Sequence, residues 1–285
     1  MIPGAFLYPG SAVAWQQLRT GESVDFLAAV MEPFRWLVSV IMVAFHDGLG
    51  AAGMPPGDGW TWTLSIVGLV LVIRAALVPV FLAQVRAQRR MRLLQPDLKE
   101  LQDKYKGRTD QASRQALAQE QMALYRKHGT NPFSACLPLL IQAPFFLALF
   151  QVLSGITSAA RQDQGIGALG RDQVVQFDSS SILGAPLSAS LLHGGGDPTA
   201  VAVLAVAMIL VMIACQFLTQ KLVAARTMAG QDLDSPLMRQ QRILLYVLPL
   251  IFGVGGIFFP IGVLVYWTVS NLWTLGQQSL VSRRP

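Results

Sequence analysis

Charged residues are scarce in this chain: they make up 13% of its 285 residues, whereas about a quarter is usual for a soluble globular protein. Hydrophobic residues account for 53%. This composition argues against an ordinary water-soluble domain, because too few charged side chains remain to cover its surface. Solvation by lipid is the simplest explanation of the shortage, so the composition predicts a membrane protein.

The chain also lacks the residue patterns of catalysis, metal binding and disulfide formation. Its two cysteines, Cys136 and Cys215, lie far apart in apolar stretches, and its three histidines, His46, His128 and His193, lie in separate connections. There is no CxxC, HExxH, GxSxG or GxxxxGK[ST] motif and no internal repeat. We therefore predict no enzyme, cofactor, metal site or disulfide framework.

The net charge of +6 is distributed unevenly along the chain. Residues 84–132 hold eleven Lys or Arg against five Asp or Glu, whereas residues 1–61 hold two against five. Residues 154–198 hold two against four, and residues 220–242 hold four against two. Basic and acidic connections therefore alternate, as the positive-inside rule expects of a chain that crosses the membrane several times. The basic character is explained by topology, and no nucleic-acid partner is predicted.

The apolar stretches predict five membrane spans. A helix needs roughly 20 apolar residues to cross a hydrocarbon core. The last stretch is too long for one span and contains Phe258-Phe259-Pro260-Ile261-Gly262, a sequence typical of a turn. The predicted spans are 62–83, 132–153, 200–218, 243–259 and 261–280.

The connections follow from these spans. Residues 1–61 are predicted outside, with an amphipathic helix at Phe34–Phe45 in the outer interface, and the N-terminus, MIPGAFLYPG, lacks the basic region of a cleaved signal peptide. The loop 154–199, which contains DSSS and HGGGD, is predicted outside and mobile, with a short ordered piece. Residues 84–131, 219–242 and the tail 281–285 are predicted in the cytoplasm of a bacterium, so the chain is a multi-pass plasma-membrane protein.

Residues 84–131 predict a cytoplasmic helical hairpin. Met91, Leu94, Leu98, Leu101 and Tyr105 recur at spacings of three and four, and a second helical stretch follows the turn at residues 107–110. The apolar stripe is thin and the charge is high. Two interpretations remain open, a solvated handle and a docking surface for a partner protein.

Arg74 lies near the middle of the first apolar span, where burial of a guanidinium costs several kcal/mol or more. It lies 12 residues from Arg86, about 18 Å along a helix, so its side chain falls short of the cytoplasmic interface. The five predicted spans contain no Asp or Glu, so none of them supplies a salt bridge. The first fact argues against a side chain that reaches the interface, and the second argues against neutralisation inside the bundle. Together they favour a third interpretation, in which Arg74 lines a water-filled cavity open to the cytoplasm and pairs with a transient ligand.

Several polar residues in the other spans are candidates to line the same cavity. They are Gln142 in the second span, Gln216 and Gln220 near the inner end of the third, and Ser270 and Asn271 in the fifth. Each has an alternative structural role in hydrogen bonding between helices. The aromatic residues Trp62, Tyr266 and Trp267 are candidates for the interfacial belt, although Tyr266 and Trp267 lie well inside their span.

Four motifs in this order resemble the YidC family of membrane-protein insertases, which has relatives in mitochondria and chloroplasts. They are IRAALVPV, LLQPDLKELQDKYKG, LYRKHGTNPFSACLPLLIQAPFFLALF and FFPIGVLVYWTVSNLWTLGQQ. The resemblance implies an all-α membrane protein whose five transmembrane helices surround a hydrophilic groove. It implies that the groove arginine is Arg74, that the groove aromatics are Tyr266 and Trp267, and that Gln216 or Gln220 is the groove glutamine.

The resemblance also implies the partners and the mode of action. The expected partners are newly made membrane proteins and the lipid bilayer, together with the Sec translocon and the ribosome or a targeting factor at the cytoplasmic hairpin. The short tail after the last span argues against ribosome docking through the C-terminus. The expected action is insertion without nucleotide hydrolysis.

Three other functions were weighed against insertion. A small-solute or anion transporter would use Arg74 as counter-ion, but such proteins usually have two related halves. An intramembrane enzyme would need paired acids, metal ligands or a Ser/His arrangement in the spans. A purely structural assembly factor would tolerate Arg74→Ala.

Overall fold

A computed structural model of the chain describes residues 10–108, 110–129, 137–192, 195–227, 247 and 253–282. The helices are α1 (Gly10–Ala51), α2 (Gly59–Ala76), α3 (Val78–Leu93), α4 (Gln95–Lys104), α5 (Gln111–Lys127), α6 (Leu137–Arg161), α7 (Arg171–Ser179), α8 (Pro198–Thr227) and α9 (Ile261–Ser282). A small antiparallel hairpin joins β1 (Ser181–Ile182) to β2 (Ala185–Pro186). A 3₁₀ turn at Gly256–Phe258 precedes α9. The protein is therefore all-α apart from this hairpin.

Four described helices are long and apolar enough to cross a membrane. The candidate segments are Ala29–Ala51, Gly59–Ala76, Ile141–Arg161 and Pro198–Ala224. The last three overlap the first three predicted spans. The predicted span 243–259 lies mostly outside the described residues, and α9 occupies the place of the predicted span 261–280. The fold is thus that of a polytopic helical membrane protein, and the number of five spans stays a prediction.

The helix predicted at Phe34–Phe45 is much longer in the structure. It belongs to α1, which continues to Ala51 with Pro33 inside it, and its part from Ala29 onward is a candidate span. The sequence predicts a shorter helix because Pro33 and the charged residues Glu32 and Arg35 are typical of a helix start. In the structure these two charged side chains form an ion pair within the helix, so they do not end it.

The first predicted span, Trp62–Ala83, is divided between two helices. α2 ends at Ala76, and Leu77 connects it to α3. The break lies just before Pro79, which occupies the first turn of α3. Pro79 has no N–H to bond to the carbonyl of Ala75, four residues earlier, and its ring crowds that carbonyl, whereas it fits the first turn of a new helix, where its missing N–H is not needed. Arg74 is therefore in the last turn of α2.

The core lies where α1, α2, α6, α8 and α9 pack together. α2 contacts α1 on one side and α9 on the other, and α9 also packs along α8. The approach of α1 to α2 is close at Gly68, where an added Cβ would lie 2.4 Å from the ring of Phe45. Glycine at this point allows the aromatic ring to pack directly on the α2 backbone.

The loop 154–199 was predicted to be mobile with a short ordered piece, and its described residues contain more secondary structure than that prediction gave, while its mobility stays a prediction. α6 continues to Arg161, α7 follows, and the β-hairpin folds back on the helix ends. Phe177 and Leu187 are fully buried, and the hydroxyl of Thr157 donates a hydrogen bond to Asp178 at 2.7 Å. We call α7 and the hairpin the outer cap, after the outer position that the sequence predicts for this loop. Its apolar residues lie singly among serines and glycines, which is why no periodicity revealed them.

The predicted cytoplasmic hairpin is formed by α4 and α5. Neither helix contains a buried residue. The helices are joined across their exposed faces by Glu120, which accepts hydrogen bonds from Lys104 at 2.8 Å and from Tyr105 at 2.7 Å. Asp110 begins α5 by accepting a hydrogen bond from the backbone N–H of Ser113. The hairpin is held by polar contacts and not by a core.

Candidate functional site

The side chain of Arg74 is only partly exposed, at the inner end of α2. Its Nε is buried and has no hydrogen-bond partner among the described residues. An unpaired buried guanidinium nitrogen is costly, because it has lost water and gained nothing in return. Among the described residues, this donor of Arg74 is therefore left without a partner.

Two other predicted site residues are connected to this arginine, one directly and one through the other. The amide of Gln142 on α6 donates a hydrogen bond to the hydroxyl of Tyr266 on α9 at 2.7 Å. Tyr266 in turn lies close enough to Arg74 for an electrostatic interaction between the two side chains. Tyr266 is almost fully buried, whereas Gln142 and Arg74 are partly exposed. Three helices thus bring one cation and two polar groups to a common site, which we call the Arg74 cluster.

Acidic residues are absent from the described helices that form this cluster. α2, α6, α8 and α9 contain no Asp or Glu. In the candidate span of α1 there are two, Glu32 and Asp47. Glu32 is paired with Arg35, and Asp47 accepts a hydrogen bond from Gln173 of the outer cap. Neither of these carboxylates is paired with Arg74, so within the residues that the structure describes the cluster has no carboxylate to balance its positive charge.

Trp267 has a different environment from Tyr266, although the two are neighbours in sequence. Its ring stacks on Phe146 with centroids 5.1 Å apart and meets Phe259 edge-on at 5.0 Å. Phe150 extends the same group through Phe259 at 5.2 Å. Successive residues of a helix point about 100° apart, so Tyr266 reaches Gln142 while Trp267 packs against Phe146 and Phe259. The ring of Phe146 also lies near Tyr266, with centroids 6.3 Å apart.

The remaining predicted site residues are not brought into the Arg74 cluster by hydrogen bonds. Gln216 and Gln220 are half-buried on α8, one turn apart, and no hydrogen bond joins either of them to Arg74, Gln142 or Tyr266 within the described residues. Asn271 donates from its side chain to the backbone carbonyl of Trp267 at 2.9 Å. That bond lies within α9, so Asn271 has a structural partner. The role of these three residues stays a prediction.

The outer end of α2 is closed by aromatic packing that sequence reasoning missed. Trp62, which was predicted in the interfacial belt, is fully buried. Its ring stacks on His46 with centroids 3.9 Å apart and meets Phe177 of the outer cap at 5.3 Å. The imidazole of His46 also forms a hydrogen bond with the carbonyl of Pro56 at 2.9 Å. The prediction for Trp62 was wrong because the residues that cover it come from α1 and the cap, far away in sequence.

The charged groups of the cytoplasmic hairpin perturb one another. The pKa of Glu120 is lowered, first by the hydrogen bond from Lys104 and then by that from Tyr105. The same hydrogen bond raises the pKa of Lys104. Both side chains are exposed to solvent, so the effect on stability is small. These shifts are explained by pairing within the hairpin and do not indicate a catalytic group.

The described residues offer no evident metal site. Within the ranges that the structure describes, no three His, Cys, Asp or Glu side chains lie together. Cys215 is a free, buried thiol in α8, whereas Cys136 and His193 lie outside the described residues. The chemistry available at the Arg74 cluster is therefore binding through charge and hydrogen bonds.

The fold and the site together define a multi-pass helical membrane protein with an unneutralised arginine among its spans. The model of the 60Kd inner membrane protein family matches residues 56–285, and the chain belongs to this family.

Two bacterial relatives of this chain carry the name "Membrane protein insertase YidC". The protein from Tropheryma whipplei strain Twist is 41% identical over 268 residues, which cover 91% of this chain and 86% of that protein. The protein from Streptomyces avermitilis is 39% identical over 267 residues, again 91% of this chain but 60% of the relative's length. Among solved structures, "Active YidC insertase crystal structure with the first transmembrane domain resolved" is similar with a TM-score of 0.44 and 24% identity. The match covers 76% of this chain and 41% of that one.

Proposed function

We propose that this chain is a membrane-protein insertase that moves short hydrophilic segments of client proteins across the membrane and releases their apolar segments into lipid. The observation that carries the proposal is the Arg74 cluster, a cation without a carboxylate in the described helices around it. The family membership and the names of the relatives support insertion over the transporter alternative.

The charge of Arg74 provides the attraction for the hydrophilic segment. An acidic side chain that approaches the guanidinium to 4 Å gains about 4 kcal/mol at an effective dielectric constant of 20, before the cost of desolvation. That gain offsets part of the cost of moving polar groups toward the middle of the bilayer. Arginine suits this role because it stays protonated and can hold a carboxylate through two hydrogen bonds. Gln142 and Tyr266 supply further polar contacts.

The direction of movement follows from the two ends of the bundle. Aromatic packing around Trp62 closes the outer end, so a client has access to Arg74 from the cytoplasmic end. The apolar segment of the client then passes into lipid along α2 and α9, driven by the transfer of apolar surface out of water. No nucleotide is needed for such a step.

The topology and the partners belong to the same proposal. The basic hairpin of α4 and α5 lies in the cytoplasm and the cap lies outside, which agrees with the positive-inside rule. The N-terminus is then outside and the C-terminus inside. The hairpin, whose faces are exposed, is the place for a partner such as the Sec translocon, the ribosome or a targeting factor.

The test uses proteoliposomes that contain only this protein and a single-span client with a short acidic N-terminal tail. Arg74→Ala should reduce translocation at least about tenfold, since loss of about 1.4 kcal/mol of the attraction suffices for that factor. Arg74→Lys should retain much of the activity. The matched control is Arg86→Ala, because the Arg86 side chain is exposed on α3 and, within the described part of the chain, donates a hydrogen bond to the carbonyl of Leu82 on its own helix. This control should resemble the wild type.

Two results would contradict parts of this proposal. Unchanged insertion by Arg74→Ala would remove the electrostatic role of Arg74. If the wild type inserts no more client than empty liposomes do, the protein does not act autonomously. A client whose acidic tail residues are replaced by Asn and Gln should depend less on Arg74 than the acidic client.

A further inference from the structure

The tip of the outer hairpin contains a leucine in a backbone conformation that leucine rarely adopts. The two-residue turn between β1 and β2 consists of Leu183 with φ 51° and Gly184 with φ 83°. Two positive φ angles define a type I′ turn, which favours Asn-Gly or Gly-Gly. Glycine suits its position, but the Cβ of Leu183 is crowded in this left-handed region. The choice of leucine is therefore not explained by the turn.

Packing within the chain does not explain this leucine either. Leu183 is 70% exposed, whereas the residues on either side of the turn, Ile182 and Ala185, are buried at 6% and 0%. A single exposed leucine is ordinary on a protein surface. Exposure of Leu183 adds the cost of a hydrated apolar side chain to the cost of its backbone conformation, and an apolar environment outside the chain would remove the first of these costs.

The hairpin is fixed at the ends of two candidate membrane spans. At Gly59, the first residue of α2, an added Cβ would lie 2.0 Å from the carbonyl oxygen of Ser181. At Gly184 an added Cβ would lie 3.3 Å from the Cβ of Ala200, in the first turn of α8. α2 and α8 are both long and apolar enough to cross a bilayer. The tip consequently lies at the level where these two helices begin their passage through the membrane.

The composition around the tip points to lipid as its environment. Residues 179–192 contain no charged side chain and no histidine, whereas the preceding helix α7 contains Arg171, Asp172 and Asp178. Trp60, which follows Gly59 at the start of α2, is 46% exposed. Tryptophan is enriched at membrane–water interfaces, where its ring lies among the headgroups. The tip and this tryptophan together present apolar surface at one end of the same helix.

We propose that Leu183, together with Trp60, inserts into the interface of the outer lipid leaflet and anchors the outer cap to the membrane. The occupant of this surface is the bilayer itself. The anchor would hold the cap at a fixed depth while clients move through the inner end of the bundle. This proposal is independent of whether Arg74 binds clients.

The first test measures the depth of the tip directly. The full chain with Cys136 and Cys215 replaced by alanine would carry a nitroxide at Leu183→Cys, in nanodiscs of phosphatidylethanolamine and phosphatidylglycerol. The matched control is Val175→Cys on α7, since Val175 is similarly exposed at 48% but lies in a charged helix. The nitroxide at position 183 should be accessible to oxygen, which concentrates in lipid. Its accessibility to a water-soluble nickel chelate should be at least several-fold lower than that of the nitroxide at position 175.

Two outcomes would overturn the anchor. Equal nickel accessibility at positions 183 and 175 would show that the tip lies in water. Protection of position 183 from both oxygen and nickel would show a protein contact, such as a second copy of this chain, instead of lipid.

The second test needs no label and depends on the sign of a change. Leu183→Asn places a residue that tolerates the left-handed region in the turn. If the tip lies in water, this substitution relieves strain and leaves the thermal unfolding midpoint in nanodiscs unchanged or raised. If the tip is anchored, the lost apolar contact should lower the midpoint. A raised or unchanged midpoint would contradict the proposal.

Discussion

The outer and inner ends of the helical bundle are built in opposite ways. At the outer end, α2 buries Trp62, Ile66 and Leu69 completely, and Phe177 of the cap packs on Trp62. At the inner end, Ala75 and Ala76 are exposed, and Arg74 lies between these two environments. Below this point the structure continues into α3 and the hairpin of α4 and α5, which is held by exposed polar contacts.

The difference shows how one helix can seal one side of a membrane protein and open the other. Apolar and aromatic packing at the outer end excludes water without any charge. At the inner end the same helix carries a cation whose Nε has no hydrogen-bond partner among the described residues. When a polar or acidic segment binds there, it gives this nitrogen a hydrogen-bond partner and lowers the free energy of the site. The account therefore predicts large effects on stability at the outer end and smaller ones toward the cytoplasm.

The largest effect is expected for Trp62→Ala, which breaks the outer closure. Removal of this fully buried ring leaves a cavity against His46 and Phe177 and should lower the free energy of unfolding by about 3–5 kcal/mol. Denaturant unfolding in detergent micelles measures the change. The matched control is Trp36→Ala, because Trp36 is 56% exposed and should cost much less. Equal losses for the two variants would show that the outer end is not the tightly packed one.

A smaller effect is expected for Gly68→Ala, which tests the packing of α1 on α2. The new methyl group would overlap the ring of Phe45 and should destabilise the protein by about 1–3 kcal/mol. Gly48→Ala in α1 is the control, since no atom lies within 4 Å of its added Cβ. That substitution should be neutral or stabilising by up to about 1 kcal/mol, because alanine favours a helix over glycine. If Gly48→Ala destabilised the protein and Gly68→Ala did not, the close contact between α1 and α2 would not lie at Gly68.

The smallest effect is expected for Glu120→Gln in the cytoplasmic hairpin. This substitution removes the ion pair with Lys104. Because the pair is exposed, the free energy of unfolding should barely change. The distances between spin labels on α4 and α5 should become more broadly distributed. The lowered pKa of Glu120 means that its contribution is present above the carboxyl's unfolded pKa and is lost as the pH falls through the folded value. Acidification should therefore broaden the wild-type distribution in the same way. The control Glu100→Gln should leave the distance distribution unchanged. The same distribution for Glu120→Gln and Glu100→Gln would show that the Lys104–Glu120 pair does not hold the two helices together.

The sequence was sufficient for the class of fold, and it proposed Arg74 as the centre of a site whose function stays a prediction. Long apolar runs predicted α2, α6 and α8, because a helix in lipid needs apolar residues along its length and this requirement does not depend on tertiary contacts. Arg74 stands out in the sequence for the same reason, because a charged residue is rare within an apolar span. Its partners were named as candidates, but their contact could not be predicted: Gln142 and Tyr266 are 124 residues apart in the chain.

The outer cap shows where sequence reasoning failed and why. Phe177 and Leu187 are fully buried but occur as isolated apolar residues in a serine- and glycine-rich segment. Their burial depends on Trp62 and the ends of the spans, so no local period indicates it. The length of α1 was also missed, because the ion pair of Glu32 and Arg35 keeps polar residues inside the helix.

The central claim is that the Arg74 cluster is reached from the cytoplasm and closed from the outside. It is tested most directly with a membrane-impermeant thiol reagent and the variant Gln142→Cys, in which Cys136 and Cys215 are alanine. Reaction should occur in inverted membrane vesicles and not in right-side-out vesicles. Ser65→Cys is the control, because Ser65 is fully buried in the outer half of α2 and should react from neither side. Reaction of position 142 from the outside, or from neither side, would contradict the account.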